Sequence, residues 1–430
     1  MRLLFLAVAP PLPANNGLTM RAWSLLRALA AEGHRIELLA FTTPDDSAPH
    51  SDELAKVCHS VEFVPRGVTR WAAGGNYLGH LSNLLATIPY GVTRYRFPVM
   101  AERIARRLQE NFDAVVAASL FAAINLPEKM QTPLIVDEND VEHIILERYL
   151  REQRNPFLRT YAWLEALKMR RWERVVGARS TVVMLCSEDD YEVMRRTCPK
   201  VSLAMVPNTV DVEAYSPVTS AENARVLYLA GMDWLPNQDA AKFFIEDILP
   251  SLKKEVPGVR FVVAFSPEHA PPRRFRERFA TVSGVEFSET NNIRAEFEQA
   301  AVLAVPLRIG SGTRFKILEA SAMAIPVVST RIGAEGLTFR NGKEIVLEDN
   351  PAKFARAIAV LLADSSMRAA LGLSARARVQ QCYSFDVLRA TLSDVLARVS
   401  AGSRLVQDVD FRAKKLFPAS DAPQHGRCSV

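Results

Sequence analysis

The stretch Val302–Leu337 reads VLAVPLRIGSGTRFKILEASAMAIPVVSTRIGAEGL. Ala300 to Pro306 is an unbroken small-apolar run, the length and composition of a strand buried on both faces. Gly310-Ser311-Gly312 then predicts a tight turn. Thr313 to Ala324 follows with Phe315, Leu318, Ala322 and Met323 at helical spacing, and Ile325 to Ser329 is a second buried strand. Strand, glycine turn, helix, strand is a βαβ unit. Its turn aims backbone N–H groups from a helix N-terminus at one point in space, where a phosphate is favoured. Arg314 and Lys316 on the first turn oppose the helix macrodipole, and an anion between them removes the conflict.

Outward from this stretch, the chain is long enough for two domains: 430 residues, 49% hydrophobic and 23% charged. A net charge of +5 is too small to imply a nucleic-acid partner. Five scattered cysteines without a CxxC pair fit reduced thiols better than a disulfide framework or a zinc site. No apolar run approaches the length of a membrane-spanning helix, about 18 residues or more. The apolar N-terminus is short and closed by prolines, so Leu3 to Val8 predicts a first buried strand rather than a signal peptide.

In chain order, that strand leads through a loop to a helix over Leu18–Glu32, then Gly33 and a strand over Ile36–Phe41. The G-x-G-x-x-G fingerprint of ordinary dinucleotide binding is missing from this βαβ start. Further strand-like runs at Val61–Pro65, Ala114–Ala118, Leu134–Asp137 and Thr181–Cys186, with helical patterns between several of them, predict a parallel sheet covered on both faces. Ligands on such sheets sit at the carboxyl ends of strands. Ser119, Asp137, Glu138, Asn139, Asp140, Ser187 and Glu188 fall there and are candidates for a cleft wall. His143, beside Glu142, reads either as a satisfied histidine or as a base.

Two basic, aromatic segments, Tyr90–Arg107 and Leu146–Arg174, read either as solvated helix faces or as anchors at an anionic membrane surface. Apolar, glycine-containing Trp71–Tyr90 reads as an acceptor-facing loop, a membrane-dipping loop or a buried helix. Val206–Ala224 carries the composition of an interdomain linker. A second domain opens with a strand at Val226–Ala230, a loop at Gly231 and a helix over Gln238–Leu249. Strands at Phe261–Phe265 and Val285–Ser288 follow. Arg331–Leu337 reads as a loop able to close on a ligand, and Ser384–Val399 as a last helix.

Pro306-Leu307-Arg308, Gly310 to Arg314, Lys316 to Ala320 and Pro326 to Thr330 together resemble the donor site of glycosyltransferase family 4, the retaining GT-B enzymes. The resemblance implies an α/β fold of two Rossmann-like domains facing each other across a cleft. Residues 1–215 form the acceptor side, with 384–400 returning to it; 222–383 form the donor domain, and 404–430 a flexible tail. The implied activity moves a sugar from a nucleoside diphosphate sugar to a glycan or lipid-linked acceptor in cell-surface or exopolysaccharide synthesis. No cofactor, metal or nucleic acid is expected. The implied location is cytoplasmic, with peripheral attachment to the inner membrane face as an option.

By the same resemblance Arg314, Lys316 and Glu319 are the catalytic residues, Glu319 accepting from ribose hydroxyls. Gly17, Gly231, Arg308, Gly310, Ser311, Gly312 and Thr313 are donor-binding, and Ser119, Glu138, Asn139 and His143 are acceptor-side candidates. The sequence departs from the family where Ser311 replaces a glutamate that faces the sugar, and where Ser119 and Asn139 stand at positions matched to histidines. Two rivals stay open: a nucleotide-sugar epimerase on the same architecture, and a non-catalytic nucleotide-sugar-binding protein, which these departures make plausible.

Overall fold

The computed structural model describes residues 1–42, 50–66, 83–153, 155–218 and 224–401. Most of the expected apolar loop at Trp71–Tyr90, the middle of the expected linker, Arg154 and the expected tail at 404–430 lie outside them.

The apolar runs form two fully parallel sheets. The first contains β1 (Arg2–Ala7), β2 (Arg35–Thr42), β3 (Ser60–Pro65), β4 (Ala114–Ala117), β5 (Leu134–Glu138), β6 (Val182–Leu185) and β7 (Leu203–Met205), in the spatial order β3-β2-β1-β4-β5-β6-β7. The second contains β8 (Arg225–Leu229), β9 (Arg260–Phe265), β10 (Val285–Glu289), β11 (Val302–Val305), β12 (Val327–Ser329) and β13 (Val346–Leu347), in the order β10-β9-β8-β11-β12-β13. Strands buried on both faces need no alternation, which is why they read as continuous Val/Leu/Ala runs. β7 and β13 escape the sequence reading because three and two residues are too short to carry a period.

Strand order reverses between β1 and β4, and again between β8 and β11. A crevice opens beyond the carboxyl ends of the strands at each such switch point. The first is flanked by the helix Gly17–Ala31, whose Asn16 cap and Thr19 form a reciprocal capping box. The second is flanked by the helix Phe315–Ala322. That helix begins two residues later than expected, leaving Arg314 extended at the N-cap (φ −99°, ψ 107°). Its guanidinium reaches back to the Ser311 and Gly312 carbonyls, so the turn is held by a side chain rather than by a further helical residue.

The last helix, Phe385–Ser400, buries Leu388, Leu392, Val395, Leu396 and Val399 in the core that contains Leu3, Phe5 and Leu25 of the first sheet's layer. The chain thus crosses back after the second sheet is complete. The two halves also meet directly at the glycine turn. A Cβ on Gly312 (φ +71°) would stand 2.2 Å from Asp140 Oδ1 and 2.7 Å from the Asn139 carbonyl, so only glycine admits so close an approach.

Candidate active site

The two crevices face one another across a cavity of about 530 Å³. The first half contributes Asn16 and Gly17 from the start of a helix, Ser119 after β4, and Glu138, Asn139, Asp140 and Glu142 at and after β5. The second contributes Gly231 after β8, Ser266 and His269 after β9, and Thr313, Arg314, Lys316 and Glu319 after β11. Every contribution comes from the carboxyl end of a parallel strand or the helix that follows.

Charge divides this cleft. On the second-domain wall Arg314 is 8% exposed, and its Nε and Nη2 have no hydrogen-bond partner among the described residues. Buried guanidinium N–H groups without acceptors are costly, and an anion supplies what they lack. Lys316 lies half-buried with its ammonium 4.9 Å from the Tyr228 ring centroid. Burial, and then Arg314, pull its pKa down to about 7, with Glu319 opposing. Glu319 accepts from the Tyr215 hydroxyl at 2.9 Å. Burial pushes its carboxyl up to about 7 against that bond and against Lys316. Burial therefore brings one cation, Lys316, and one carboxylate, Glu319, toward their neutral forms.

The first-domain wall is acidic. Glu138 is 2% exposed, and its Oε1 has no hydrogen-bond partner among the described residues. Burial, followed by the neighbouring Glu173 and Glu142, raises it well above the usual carboxyl range. Burial pushes Asp140 up to about 7, with Arg314 pulling the other way, and Glu142 up to about 8. A cationic floor against an acidic wall suits a ligand with an anionic centre and hydroxyl-rich ends.

Comparison with known proteins identifies the family. A model described as Glycosyltransferase Family 4 matches residues 15–214, and one described as Glycosyl transferases group 1 matches residues 223–364. The chain belongs to glycosyltransferase family 4. A Klebsiella pneumoniae protein, "Uncharacterized 44.6 kDa protein in cps region", is 20% identical over 81% of this chain and 87% of its own length. The GDP-mannose-dependent alpha-(1-6)-phosphatidylinositol monomannoside mannosyltransferase of Mycobacterium tuberculosis is 27% identical over 46% of this chain and 56% of its own. The solved structure of Anabaena HepE in complex with UDP-glucose superposes with a TM-score of 0.64 at 14% identity, covering 92% of this chain and 99% of that one. The GT-B fold expected from the sequence is thereby shown, and this family 4 chain is a glycosyltransferase.

Within this glycosyltransferase the expected site residues separate into two groups. Gly17, Gly231, Thr313, Arg314, Lys316, Glu319, Ser119, Glu138 and Asn139 all line the cleft. Gly310, Ser311 and Gly312 lie beneath its floor instead. At Gly310 (φ +154°) a Cβ would fall 2.2 Å from Arg314 Nη2, so the glycine clears the path of that side chain. The Ser311 hydroxyl is turned to the first domain, donating to Asp190 Oδ1 at 2.7 Å and accepting from the Val141 N–H at 3.2 Å. It ties the halves together and does not face the cavity.

Two expectations need correction outright. Arg308 stands off the cleft lining: its guanidinium forms a bidentate pair with Asp239 (2.6 and 3.0 Å) and stacks over Phe243. His143 is 2% exposed, with both its backbone N–H and its ring Nδ1 engaged by Glu173, so the satisfied reading holds and no base faces the cavity from it. Arg331–Leu337 closes on the first domain rather than over the cavity. Arg148 pairs with Glu335, and the Gly336 N–H donates to Asp189 at 3.2 Å.

Sequence reasoning missed a further cluster. His269 bonds Asp233 at 3.1 Å, its Nε2 lies 3.4 Å from Asn16 Nδ2 across the cleft, and Asn15 donates to Glu268 at 2.6 Å. The hydrogen bond that its ring N–H donates to the Asp233 carboxylate raises the His269 pKa. Residues 36 and 253 positions apart carry no local signal that would join them.

Proposed function

We propose that this glycosyltransferase moves a sugar, with retention of its anomeric configuration, from a nucleoside diphosphate sugar to a glycan or lipid-linked acceptor in cell-surface or exopolysaccharide synthesis. The observation that carries the reading is the pair Arg314 and Lys316 on the cleft wall, with buried guanidinium N–H groups that lack acceptors. As the glycosidic bond breaks, negative charge grows on the leaving diphosphate. Cations already in place stabilise that charge more than the ground state. Loss of one such donor costs on the order of 3 kcal/mol, about a hundredfold in turnover. Glu319, fixed by Tyr215, accepts from donor hydroxyls. The scheme uses protein cations alone, with no metal. Retention rests on the likeness of the Gly310–Glu319 segment to the retaining enzymes.

A lipid-linked acceptor draws support from the Mycobacterium relative, which is named a phosphatidylinositol monomannoside mannosyltransferase. Attachment to an anionic membrane surface draws support from the helix Pro156–Arg179. Its two acids, Glu165 and Glu173, are buried, while Phe157 (84%), Trp163 (50%) and Leu167 (47%) are exposed beside exposed Arg159, Arg171 and Arg174. A face of arginine and apolar side chains without acids suits an anionic bilayer interface. Among the described residues no single helix is long and apolar enough to cross a membrane.

The test is nucleoside diphosphate release and binding with UDP-, GDP- and ADP-sugars, comparing the natural chain with Lys316→Ala and Glu319→Ala. Slow hydrolysis of one donor, lost in both folded variants, is expected. Turnover of a nucleotide sugar without diphosphate release would favour an epimerase, and binding without release a binding protein. Anomeric retention is checked by the proton coupling of the product, and membrane attachment by flotation with anionic vesicles.

A further inference from the structure

The glycine turn Gly310-Ser311-Gly312 carries no carboxylate. Resting on the nucleotide-sugar reading of the cleft, we propose that Asp140, reaching over from the first domain, accepts hydrogen bonds from hydroxyls of the transferred sugar. A sugar bonded to a diphosphate at Arg314 and Lys316 must lie within a few ångströms of those cations. Its hydroxyls are donors that need acceptors once water is expelled. Asp140 Oδ1 is 3.9 Å from Arg314 Nη1, in ion-pair reach, and Asp140 lines the same cavity. Its side chain keeps 29% of its surface exposed, and its side-chain hydrogen bond is from Asn139 Nδ2 at 3.3 Å. Lone pairs remain for a ligand.

The turn itself offers no competing acceptor side chain. Ser311 is 1% exposed and committed to Asp190 and Val141, and its glycine neighbours have no side chain. Gly312 is the seat of Asp140: the carboxylate oxygen occupies the space a Cβ would take, 2.2 Å away. The close contact between domains therefore fixes the carboxylate on the donor turn as firmly as a residue of the turn would be. Phosphate oxygens are repelled from this position, so its partner is the hydroxyl-bearing end of the donor.

The experiment measures binding of UDP, GDP and ADP beside UDP-glucose, UDP-N-acetylglucosamine, GDP-mannose and ADP-glucose, for the natural chain, Asp140→Asn and Asp140→Glu. Turnover of whichever nucleotide sugar binds is followed as diphosphate release. In Asp140→Asn the free diphosphate binds as before or slightly tighter, because a negative charge beside Arg314 is gone. The nucleotide sugar loses about ten- to a hundredfold in kcat/KM, the worth of one charge-assisted hydrogen bond. Asp140→Glu, which keeps the carboxylate, recovers part of the loss. Equal weakening of diphosphate and nucleotide sugar would show a merely structural residue and overturn the proposal, as would unchanged sugar affinity and turnover. If the natural chain binds none of the seven nucleotides, the reading of the cleft falls and takes Asp140 with it. Failure in Asp140→Asn alone leaves that reading standing.

Discussion

The lowered pKa of Lys316 makes donor binding depend on pH, and the sign follows from which form the diphosphate prefers. Lys316 titrates at about 7 because burial and Arg314 disfavour its charge. A diphosphate between the two cations favours the ammonium, so binding draws in a proton and the pKa rises. From pH 6 to pH 8 the protonated fraction of the free site drops from about nine-tenths to about one-tenth, and donor affinity falls with it by about tenfold, or about 1.4 kcal/mol. A nucleotide sugar is the right probe, since its diphosphate is esterified at both ends and has no titration of its own near neutrality. Glu319 and Asp140, each also pushed up to about 7, become negative as pH rises, which weakens anion binding in the same direction.

Lys316→Arg separates the lysine from these carboxylates. Arginine stays charged throughout, so this variant keeps only the share of the slope that Glu319 and Asp140 supply. Calorimetry in two buffers of different ionisation enthalpy reads the proton directly: about half a proton taken up by Lys316 near pH 7 in the natural chain, and less in the variant. Superimposable pH profiles for the natural chain and Lys316→Arg would refute the assignment of Lys316 to the diphosphate. A flat profile in both would refute the electrostatics of the whole site.

Gly312→Ala places a methyl 2.2 Å from Asp140 Oδ1 at φ +71°; we expect a loss of about 2 to 4 kcal/mol in denaturant unfolding of the domain contact, with donor binding weakened in parallel. Ser311→Ala removes a 2.7 Å bond to the buried Asp190 carboxylate, and a loss of about 1 to 3 kcal/mol is expected by the same measurement. Arg308→Ala, by contrast, leaves donor affinity within about twofold and costs less than about 1 kcal/mol, because a part-exposed pair with Asp239 is worth little. Glu142, held up to about 8, is a carboxyl whose ionisation the fold opposes. Its folded pKa lies above the unfolded one, so it takes stability away as pH rises from about 4.5 to about 8. Glu142→Gln therefore melts higher than the natural chain at pH 8 and no higher at pH 4, by scanning calorimetry.

The parts of this site that follow one another along the chain were legible, and the parts that meet through space were not. Buried parallel strands announce themselves by unbroken apolar runs, and Arg314 and Lys316 by the conflict of cations with a helix N-terminus. Arg308 carries the same charge two residues before the turn, yet the path out of β11 delivers it to Asp239 instead. Nothing in the local pattern distinguishes these destinations. Asp140 could be placed at a strand end but not against Gly312, since that contact exists only once two sheets are docked. Ser311 shows most clearly what this means for reading departures from a family pattern. Taken along the chain, a serine where a carboxylate is expected counts against catalysis. In the folded protein the serine hydroxyl holds Asp190, the neighbouring glycine leaves room for Asp140, and the same docking that hides the serine brings another carboxylate to the turn. An apparent loss in the sequence of one domain is then offset by a residue of the other, and it is the interface, not the motif, that has to be intact for the site to work.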